Sequence, residues 1–506
     1  MSNFACWRIV LLAWLACLCA PAPGHAATPY AGHFDEPYRP GFHFTPPNAW
    51  MNDPNGLVYF KGKYHLYYQY YPDDTVWGPM HWGHAESTDL LHWTHLPIAL
   101  YPDRLGWIFS GSAVIDHADS AGFGKDAMVA IYTYHNDAIW QQGRKNTESQ
   151  GLAYSLDEGR SWTKYEGNPV LDNTGEQDFR DPKVFWHQPS RRWIMALAVG
   201  DRIRFFAAPD LKRWTFLSDF RPDGDAAGLG VWECPDLFQA PVRGSPDSKW
   251  VLIVNHGDKA PNGGSGTRYF VGDFDGRVYT HAQAARWLDA GTDFYAGVTF
   301  SNLPRGKPLL IAWMSNWQYA TKVPTSPWRS AMTLPRELSL ARRDDGYVLV
   351  QEIPASVTAT QVPVLSVRRA DTPFVRDGLD LAQAEVRFAT GGARELLVEL
   401  SNDRDEVFRI ALDDDRVVTD RSRAGQSGFS DKFAASPQVM PLRGQRIRDY
   451  RLFLDRASIE ILLNDGEFSM TNLVFPTTPY TSLRISTGDG SAIRRLRIAT
   501  IPRTRD

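Results

Sequence analysis

Short apolar and aromatic segments recur through the first two thirds of the chain, and turn-forming residues bound most of them. Five clear examples are KYHLYYQYYP (63–72), AMVAIYTYH (127–135), RWIMALAVG (192–200), KWVLIVNHG (249–257) and PLLIAWMSNW (308–317). Segments of this length and composition, bounded by Gly, Pro, Asp or Asn, are typical of β-strands. Long amphipathic helical patterns are scarce, so the chain is predicted to be all-β.

A loose internal repeat indicates how these strands are organised. STDLLHW (87–93), SLDEGRSW (155–162) and APDLKRW (208–214) each place a Trp four or five positions after an Asp. Their starts lie 68 and 53 residues apart, which fits recurring units of about four strands, as in propeller blades. Asp-capped hairpin turns that pack a Trp would give the same pattern. Such turns are compatible with blades, so the repeat favours a β-propeller and says nothing about chemistry.

The last third of the chain is plainer. All 18 Trp residues lie at or before Trp328. Beyond it, SIEILL (458–463) and EFSMTNLVF (467–475) flank an Asn-Asp-Gly turn, which predicts a hairpin. ELLVEL (395–400) and VFRIAL (407–412) form a second predicted hairpin. A β-sandwich with a structural or accessory role is the expected architecture here.

The change in composition predicts a domain boundary near 342–354, where an Arg-Arg-Asp-Asp-Gly turn begins. We divide the chain into a propeller over 27–345 and a sandwich over 346–506. Residues 1–26 are set apart because Arg8, the apolar run 9–20 and small residues up to Ala26 predict a signal peptide cleaved near Ala26. The protein is then expected to be secreted or periplasmic.

Cysteine usage and charge exclude several classes of function. Three of the four cysteines, Cys6, Cys17 and Cys19, lie in the predicted signal, so Cys234 alone remains and no intrachain disulfide can form. A lipoprotein signal is the less favoured alternative, since the residues before Cys17 suit lipid attachment poorly. The net charge of −4, which becomes −5 without Arg8, indicates neither nucleic acid nor a membrane as a partner.

Three acids stand in aromatic, proline-containing settings. They are Asp53 in WMNDPNG (50–56), Asp181 in FRDPKVFW (179–186) and Glu233 in VWECPDLF (231–238). An isolated Asp-Pro is usually a turn former, and WMNDPNG has the composition of a turn. In a propeller, however, the innermost strands of all blades line one channel, so acids from different blades can converge. Three such acids in one Trp-rich domain favour a sugar-cleaving site.

The chemistry of glycosidic cleavage assigns each acid a role. One protonated carboxyl must assist the leaving oxygen, and one ionised carboxylate must attack or direct water. Glu233 fits the acid, because the apolar neighbour Trp232 would raise its pKa. Asp53, within a tight turn, fits the ionised nucleophile, and Asp181 beside Arg180 is expected to stay charged and stabilise developing positive charge. The aromatic candidates for holding the sugar are Trp50, Trp77, Trp82, Phe109 and Trp317.

Other chemistries are less well supported. HExxH and CxxC are absent, so no metal site is predicted. The Gly-rich stretch NGGSGT (262–267) does not match a nucleophile elbow and is expected to pack near the substrate rim. Cys234 lacks an obvious base partner, so we interpret it as a small buried neighbour that tunes Glu233.

Six ordered motifs resemble the β-fructosidases of glycoside hydrolase family 32, which are the invertases, inulinases and levanases. They are WMNDPNG, FSG (109–111), FRDPKVFW, WECPDLF, DFYAG (293–297) and WMSNW (313–317). The resemblance implies a five-bladed β-propeller followed by a C-terminal β-sandwich, and retention of configuration through a fructosyl-enzyme intermediate. It matches Asp53 to the nucleophile, Glu233 to the general acid/base and Asp181 to the transition-state stabiliser. It implies no metal and no organic cofactor.

The resemblance also implies a terminal fructose pocket. Its matching positions are Asn52, Gln69, Trp77, Phe109, Ser110, Arg180 and Trp317, with Trp50 at the wall. Longer stretches, such as 77–103 and 313–331, resemble bacterial levanases and exo-inulinases more than plant or yeast invertases. The expected activity is release of terminal fructose from levan or inulin, with some cleavage of sucrose. The alternatives are an endo-acting or levanbiose-releasing levanase, an arabinosidase- or xylosidase-like propeller, and a fructan-binding lectin without turnover.

Overall fold

The structure, a computed structural model, describes residues 34–222, 229–304 and 306–504. The predicted signal peptide lies outside these residues. Strands dominate the described chain and form seven sheets. The few helices have a single turn each: α1 (Asp137–Trp140), a 3₁₀ helix (Ala320–Lys322) and α2 (Ala355–Thr358). The predicted all-β fold is therefore confirmed.

Five sheets of four or five strands follow one another along the first part of the chain. The strands of the first two are β1 (Ala49–Phe60), β2 (Lys63–Tyr71), β3 (His81–Ser87), β4 (Thr94–Leu100), β5 (Trp107–Asp116), β6 (Ala127–His135), β7 (Glu148–Ser155) and β8 (Thr163–Lys164). The third and fourth contain β9 (Phe179–His187), β10 (Arg192–Val199), β11 (Arg202–Ala208), β12 (Thr215–Phe220), β13 (Trp232–Pro241), β14 (Ser248–His256), β15 (Gly266–Phe274), β16 (Tyr279–His281) and β17 (Arg286–Trp287). The last stretch contains β18 (Tyr295–Thr299), β19 (Leu309–Met314), β20 (Trp328–Arg329), β21 (Ala331–Met332), β22 (Arg336–Arg343) and β23 (Gly346–Glu352).

These five sheets are the blades of a propeller. Their first strands, β1, β5, β9, β13 and β18, contact one another in a closed ring around the central axis. The ring is closed by chain pairing as well as packing, because β20 adds to the first blade in parallel with β1 at Ala49 and Trp50. Five of the six motifs reach these inner strands, whereas WMSNW (313–317) begins in β19, so the topology brings the five to one channel.

The Asp–Trp repeat occupies the same place in the first three blades. Each copy forms the turn between the third strand and the outer strand. Asp89 accepts from the backbone N–H groups of Leu91 and His92, and Asp210 accepts from Lys212 and Arg213 in the same way. The Asp-capped turn and the blade repeat are thus one feature, as expected, and the Trp after each turn packs against a hydrophobic core cluster.

The second part of the chain is a sandwich of two six-stranded sheets. One sheet has the order β24 (Val362–Ala370), β35 (Ile493–Thr500), β26 (Ala384–Ala389), β31 (Asp449–Asp455), β32 (Ser458–Leu463) and β33 (Phe468–Leu473). The other has the order β25 (Phe374–Arg376), β34 (Ser482–Thr487), β27 (Leu396–Ser401), β28 (Val407–Leu412), β29 (Arg416–Arg423) and β30 (Gln438–Pro441). Both predicted hairpins are present as β27–β28 and β32–β33. Alternate aliphatic residues from the two sheets form one core between them.

We place the boundary between the propeller and the sandwich a few residues after the predicted 345/346. Strand β23 begins at Gly346 and pairs along its length with β22 in the fifth blade. A cut at 345/346 would separate the two strands of this hairpin, because the Asp-Asp-Gly turn reverses the chain within the blade. We propose that the propeller ends after Glu352, where α2 leads into the sandwich.

A buried ionic cluster joins the sandwich to the propeller. Arg336 of the fifth blade donates to Glu460 of the sandwich at 2.6 Å and to Asp289 at 3.1 Å. Arg421 of the sandwich donates to Asp293 at 2.6 Å and to the Tyr319 hydroxyl at 2.9 Å. Because Tyr319 follows the predicted pocket residue Trp317 by two positions, the sandwich supports one edge of the channel mouth. No helix within the described ranges is long and apolar enough to span a bilayer.

Candidate active site

A bulge at the same level of each blade shapes the channel mouth. The register between the first and second strands shifts at residues 51–54, 108–111, 180–183, 233–236 and 295–298. WMNDPNG is therefore part of a bulged strand, where the sequence indicated a turn. The bulge residues Asp181, Cys234 and Ala296 have positive φ angles of 66°, 43° and 54°. Bulges re-aim side chains, and here they direct polar groups of several blades toward the axis.

Asp53 is buried and surrounded by side-chain donors. The Ser110 hydroxyl donates to Oδ2 at 2.7 Å, and the Asn52 amide donates to Oδ1 at 3.0 Å. The Cys234 thiol approaches Oδ2 at 3.3 Å. Burial raises the pKa of Asp53 above its ordinary value, the Ser110 and Asn52 hydrogen bonds oppose the shift, and the Glu233 charge adds to it. The donors that favour the ionised form are thus the side chains of Ser110 and Asn52.

Asp181 has a raised pKa, although its neighbour Arg180 suggested that this acid would stay ionised. Its Oδ2 accepts from the backbone N–H of Cys234 at 2.9 Å. Burial raises the pKa of Asp181 to about 8, and the negative charges of Glu233 and Asp53 add to this shift. Together they outweigh the positive charge of Arg180, which lowers the pKa. The hydrogen bonds of the Arg180 guanidinium go to Glu148, Asp178 and Glu233, and the raised pKa of Asp181 runs against the expectation that this acid stays charged.

Glu233 lies between a guanidinium and a phenol. Its Oε1 accepts from Arg180 Nε at 3.3 Å and Nη2 at 3.2 Å. Its Oε2 accepts a hydrogen bond from the Tyr295 hydroxyl. Gly257 lies against the same carboxylate, and a Cβ there would stand 3.3 Å from Oε2. Glu233 is thus held at both oxygens, one by a charge and one by a neutral donor.

The two sequence neighbours of Glu233, Trp232 and Cys234, contact residues other than Glu233. Trp232 is buried between the third and fourth blades, where it stacks on Phe270, so it is not an apolar wall for Glu233. Cys234 contacts Asp53 and Asp181, which corrects the expectation that it tunes Glu233. Burial raises the pKa of the Cys234 thiol well above its ordinary value, so the sulfur carries its proton and can serve both aspartates as a weak donor.

A cavity of about 490 Å³ opens above the acids. Its predicted lining residues are Asn52, Asp53, Gln69, Trp77, Phe109, Ser110, Arg180, Asp181, Glu233 and Trp317. Trp50 and Trp82 are fully buried instead. Trp50 lies behind the wall and donates from Nε1 to Asn52 Oδ1 at 2.8 Å, and Trp82 donates to the Phe109 carbonyl at 3.0 Å. Both orient residues of the pocket without touching its space.

Several residues of the pocket were not predicted. Glu148 receives a 2.9 Å hydrogen bond from Arg180 Nη1, and Asp178 receives one of 2.8 Å from the same atom. His135 stacks on Phe109 with ring centroids 4.4 Å apart. Tyr295 belongs to the DFYAG motif and could have been found there. Glu148 follows no local motif, and only the pairing of β6 with β7 brings it to the site.

The Gly-rich stretch reaches the pocket rim, as expected from the sequence. Ser265 Oγ accepts from the backbone N–H of Trp317 at 3.2 Å. Gly264 has a φ of 68°, and a Cβ there would stand 2.1 Å from Asn316 Oδ1. The close approach requires glycine and holds the turn that carries Trp317. Among the described residues, no group of three or more His, Cys, Asp or Glu side chains is arranged to hold a metal ion.

The chain matches two family models, one after the other along the sequence. The model of the glycosyl hydrolases family 32 N-terminal domain matches residues 43–352, and that of the family 32 C-terminal domain matches residues 355–500. Together they cover more than half of the chain, including every blade and nearly all of the sandwich.

Individual relatives agree with the family models. The chain is 43% identical to a levanase of Bacillus subtilis (strain 168) over 481 residues, covering 91% of this chain and 70% of that protein. It is 36% identical to an extracellular exo-inulinase of Aspergillus niger over 526 residues, covering 95% and 97%. Among solved structures it resembles an exo-inulinase from Aspergillus awamori, with a TM-score of 0.82 at 33% identity, covering 93% of this chain and 99% of that chain. It also resembles a β-fructofuranosidase from Schwanniomyces occidentalis complexed with fructosyl-erythritol, with a TM-score of 0.81 at 33% identity and the same two coverages.

Proposed function

Since the chain belongs to glycosyl hydrolase family 32, we propose that it releases terminal fructose from β-fructans as a retaining, exo-acting enzyme. It is a glycoside hydrolase of the β-fructofuranosidase type. The observation that carries the proposal is the convergence of three acids from three blades on one pocket. A pair of carboxyl groups flanking the scissile bond is what glycosidic cleavage requires.

In the first step, Asp53 attacks the anomeric carbon of the bound fructosyl unit. Glu233 transfers its proton to the glycosidic oxygen as the bond from that oxygen to the anomeric carbon breaks. The leaving sugar departs as a neutral alcohol, and fructose remains bonded to an Asp53 oxygen. Ser110 and Asn52, which donate to Asp53, hold its carboxylate in one orientation for the attack.

In the second step, Glu233 takes a proton from water while the water oxygen attacks the same carbon. The bond to Asp53 breaks, and fructose leaves with its original configuration because two inversions have occurred. Asp181 faces the region between the two other acids. When the Asp181 carboxyl is ionised, its charge would stabilise the positive charge of the transition state.

The closed floor of the pocket supports attack at chain ends. Below the acids, Lys183 Nζ donates to Asp236 at 3.0 Å and to the Thr299 carbonyl at 2.7 Å, and all three residues are buried. This group ties three inner strands together across the channel below the acids. A terminal residue can therefore enter the pocket from the mouth.

The relatives support fructans as the substrate class. They include a levanase and an exo-inulinase, so we propose levan and inulin as substrates and sucrose as a smaller one. The relative from Aspergillus niger is described as extracellular. With the apolar segment near the N-terminus, this supports export after cleavage near Ala26, which N-terminal sequencing of the protein from culture medium or periplasm would test.

The product time course on levan, inulin and sucrose tests the function. We expect free fructose from the first time point with all three, and no accumulation of shorter fructans. Oligosaccharides or levanbiose as first products would overturn the exo mode and support an endo-acting or levanbiose-releasing enzyme. Binding of levan without any product would instead support a lectin. Retention is tested by NMR, which should detect β-fructofuranose before mutarotation.

A further inference from the structure

The β6–β7 loop (136–147) extends the pocket beyond the predicted residues. Trp140, Gly143, Arg144, Lys145 and Thr147 all line the cavity. The matching connection of the third blade, between β10 and β11, has only two residues. A cavity of about 490 Å³, within the range of small-ligand sites, therefore gains one wall from a long loop that no motif marks.

The loop has a defined conformation. Asn136 caps α1, with its Oδ1 accepting from the N–H of Ile139 at 3.1 Å. The ends of the loop are joined by a backbone hydrogen bond of 2.7 Å from Asn136 to Thr147, and the N–H of Gly143 donates to the Trp140 carbonyl at 2.8 Å. These contacts set the position of the Trp140 backbone at the channel mouth.

Trp140 is an exposed aromatic residue on the wall of the cavity. Its exposed fraction is 57%, the largest of any Trp among the described residues. Its ring lies 6.3 Å from that of His135, which stacks on Phe109. Phe109 precedes Ser110, the hydroxyl donor to Asp53. Trp140 therefore continues the aromatic wall outward from the reacting centre.

The loop stands on the side where the leaving group must lie. Glu148, at the end of the loop, accepts from Arg180, and Arg180 also donates to Glu233. Glu233 protonates the glycosidic oxygen, so the sugar attached to that oxygen extends past Glu233 and Arg180 toward the loop. An exposed indole face there can cover the apolar face of a sugar ring, while Arg144 and Lys145 offer donors for its hydroxyls.

We propose that Trp140 is the platform for the sugar on the leaving side of the scissile bond. The inference rests on the proposed β-fructosidase function. The ligand is a second fructosyl unit in a fructan, or the glucosyl unit in sucrose. Trp140 would then set how strongly kcat/KM depends on the sugar attached to the terminal fructose. The three acids and the pocket for the terminal fructose do not determine this dependence.

The test compares substrates with and without a leaving sugar. For Trp140→Ala, we expect the ratio of kcat/KM on sucrose or inulin-type oligosaccharides to kcat/KM on methyl β-D-fructofuranoside to fall roughly tenfold. Trp140→Phe should recover most of the ratio. Trp186→Ala is the matched control, since Trp186 is 39% exposed but lies at the other end of the channel and should keep the wild-type ratio.

The outcomes separate the two proposals. A ratio in Trp140→Ala equal to that of the wild type, or equal losses on both substrate types, would overturn the role of Trp140 while wild-type turnover upholds the β-fructosidase function. A wild-type protein that cleaves none of these fructosides would overturn the function itself, and the subsite with it. Thermal unfolding of each variant checks that it remains folded.

Discussion

The propeller pocket and the propeller–sandwich interface each contain a cluster of buried acids, but they differ in charge balance. In the pocket, Asp53, Asp181 and Glu233 lie close together, and the guanidinium of Arg180 donates to one of them, Glu233, and to two further acids, Glu148 and Asp178. At the interface, every acid bonds a cationic side chain: Arg336 donates to Asp289 and Glu460, Arg421 donates to Asp293, and His43 bonds Asp455 and Glu460. Burial opposes ionisation in both clusters, yet Arg336 and His43 lower the pKa of Glu460 to about 2, whereas the pKa of Asp181 rises to about 8.

The difference shows that the same residue type can serve catalysis or cohesion according to its partners. A carboxyl with too few cations has a raised pKa, as buried functional groups often have. A carboxyl matched by a cation stays ionised and contributes to stability, although removing the partner leaves an uncompensated charge. Removing single members of each cluster should therefore have opposite consequences for activity and stability.

The largest expected effect is on the activity of the pocket. Asp53→Asn removes the nucleophile, so we expect kcat on sucrose to fall by roughly 10⁴-fold or more. The free energy of unfolding should be equal to or above that of the wild type, because one buried like charge is gone. Steady-state kinetics and urea unfolding measure the two quantities. Wild-type turnover in this variant would refute the assignment of Asp53.

The interface should show the reverse. Arg336→Met leaves Asp289 and Glu460 buried without their shared guanidinium, and breaking such a pair costs about 3–5 kcal/mol. Folded molecules of this variant should keep their kcat, since the pocket is untouched. Arg416→Met is the control, because Arg416 pairs with Asp413 on the exposed surface and should leave the midpoint of unfolding unchanged. An equal loss in both variants would contradict the comparison.

The interface also predicts a dependence of stability on pH. Burial opposes the charge of His43, but its hydrogen bonds to Asp455 and Glu460 raise its pKa to about 9. The folded protein then holds a proton that the unfolded chain releases above about pH 6.5, so the stabilisation is complete below that pH and is lost as the pH rises through 9. Linkage gives a loss of about 3 kcal/mol over this window.

His43→Gln separates this effect from the pocket. Asp181, with its raised pKa, also loses its proton as the pH rises toward 8 and weakens the fold in the same direction. Urea unfolding at pH 6.5 and 9 should show a smaller loss in His43→Gln than in the wild type. Equal losses in the two proteins would assign the whole pH dependence to other groups.

The clusters also explain what could be predicted from the sequence. Hairpins, the Asp–Trp turns and the motif-bearing strands depend on neighbours within a few residues, and these predictions were confirmed. The directions of Trp50, Trp232 and Cys234 were misjudged because a bulge changes which face a side chain takes. Glu148 and the raised pKa of Asp181 depend on charges brought from other blades, so no local pattern could reveal them.

The smallest expected effect concerns the neutral donor on Glu233. Tyr295→Phe removes a hydrogen bond to a carboxylate, and bonds to charged groups contribute about 1.5–3 kcal/mol, so kcat/KM should fall roughly ten- to hundredfold. Tyr480→Phe is the control, because it removes a buried 2.7 Å hydrogen bond to Ala424 in the sandwich and should lower stability while leaving kcat/KM unchanged. Steady-state kinetics on sucrose and urea unfolding of both variants measure the two quantities. A kcat/KM in Tyr295→Phe equal to that of the wild type would mean that the hydroxyl only packs against Glu233.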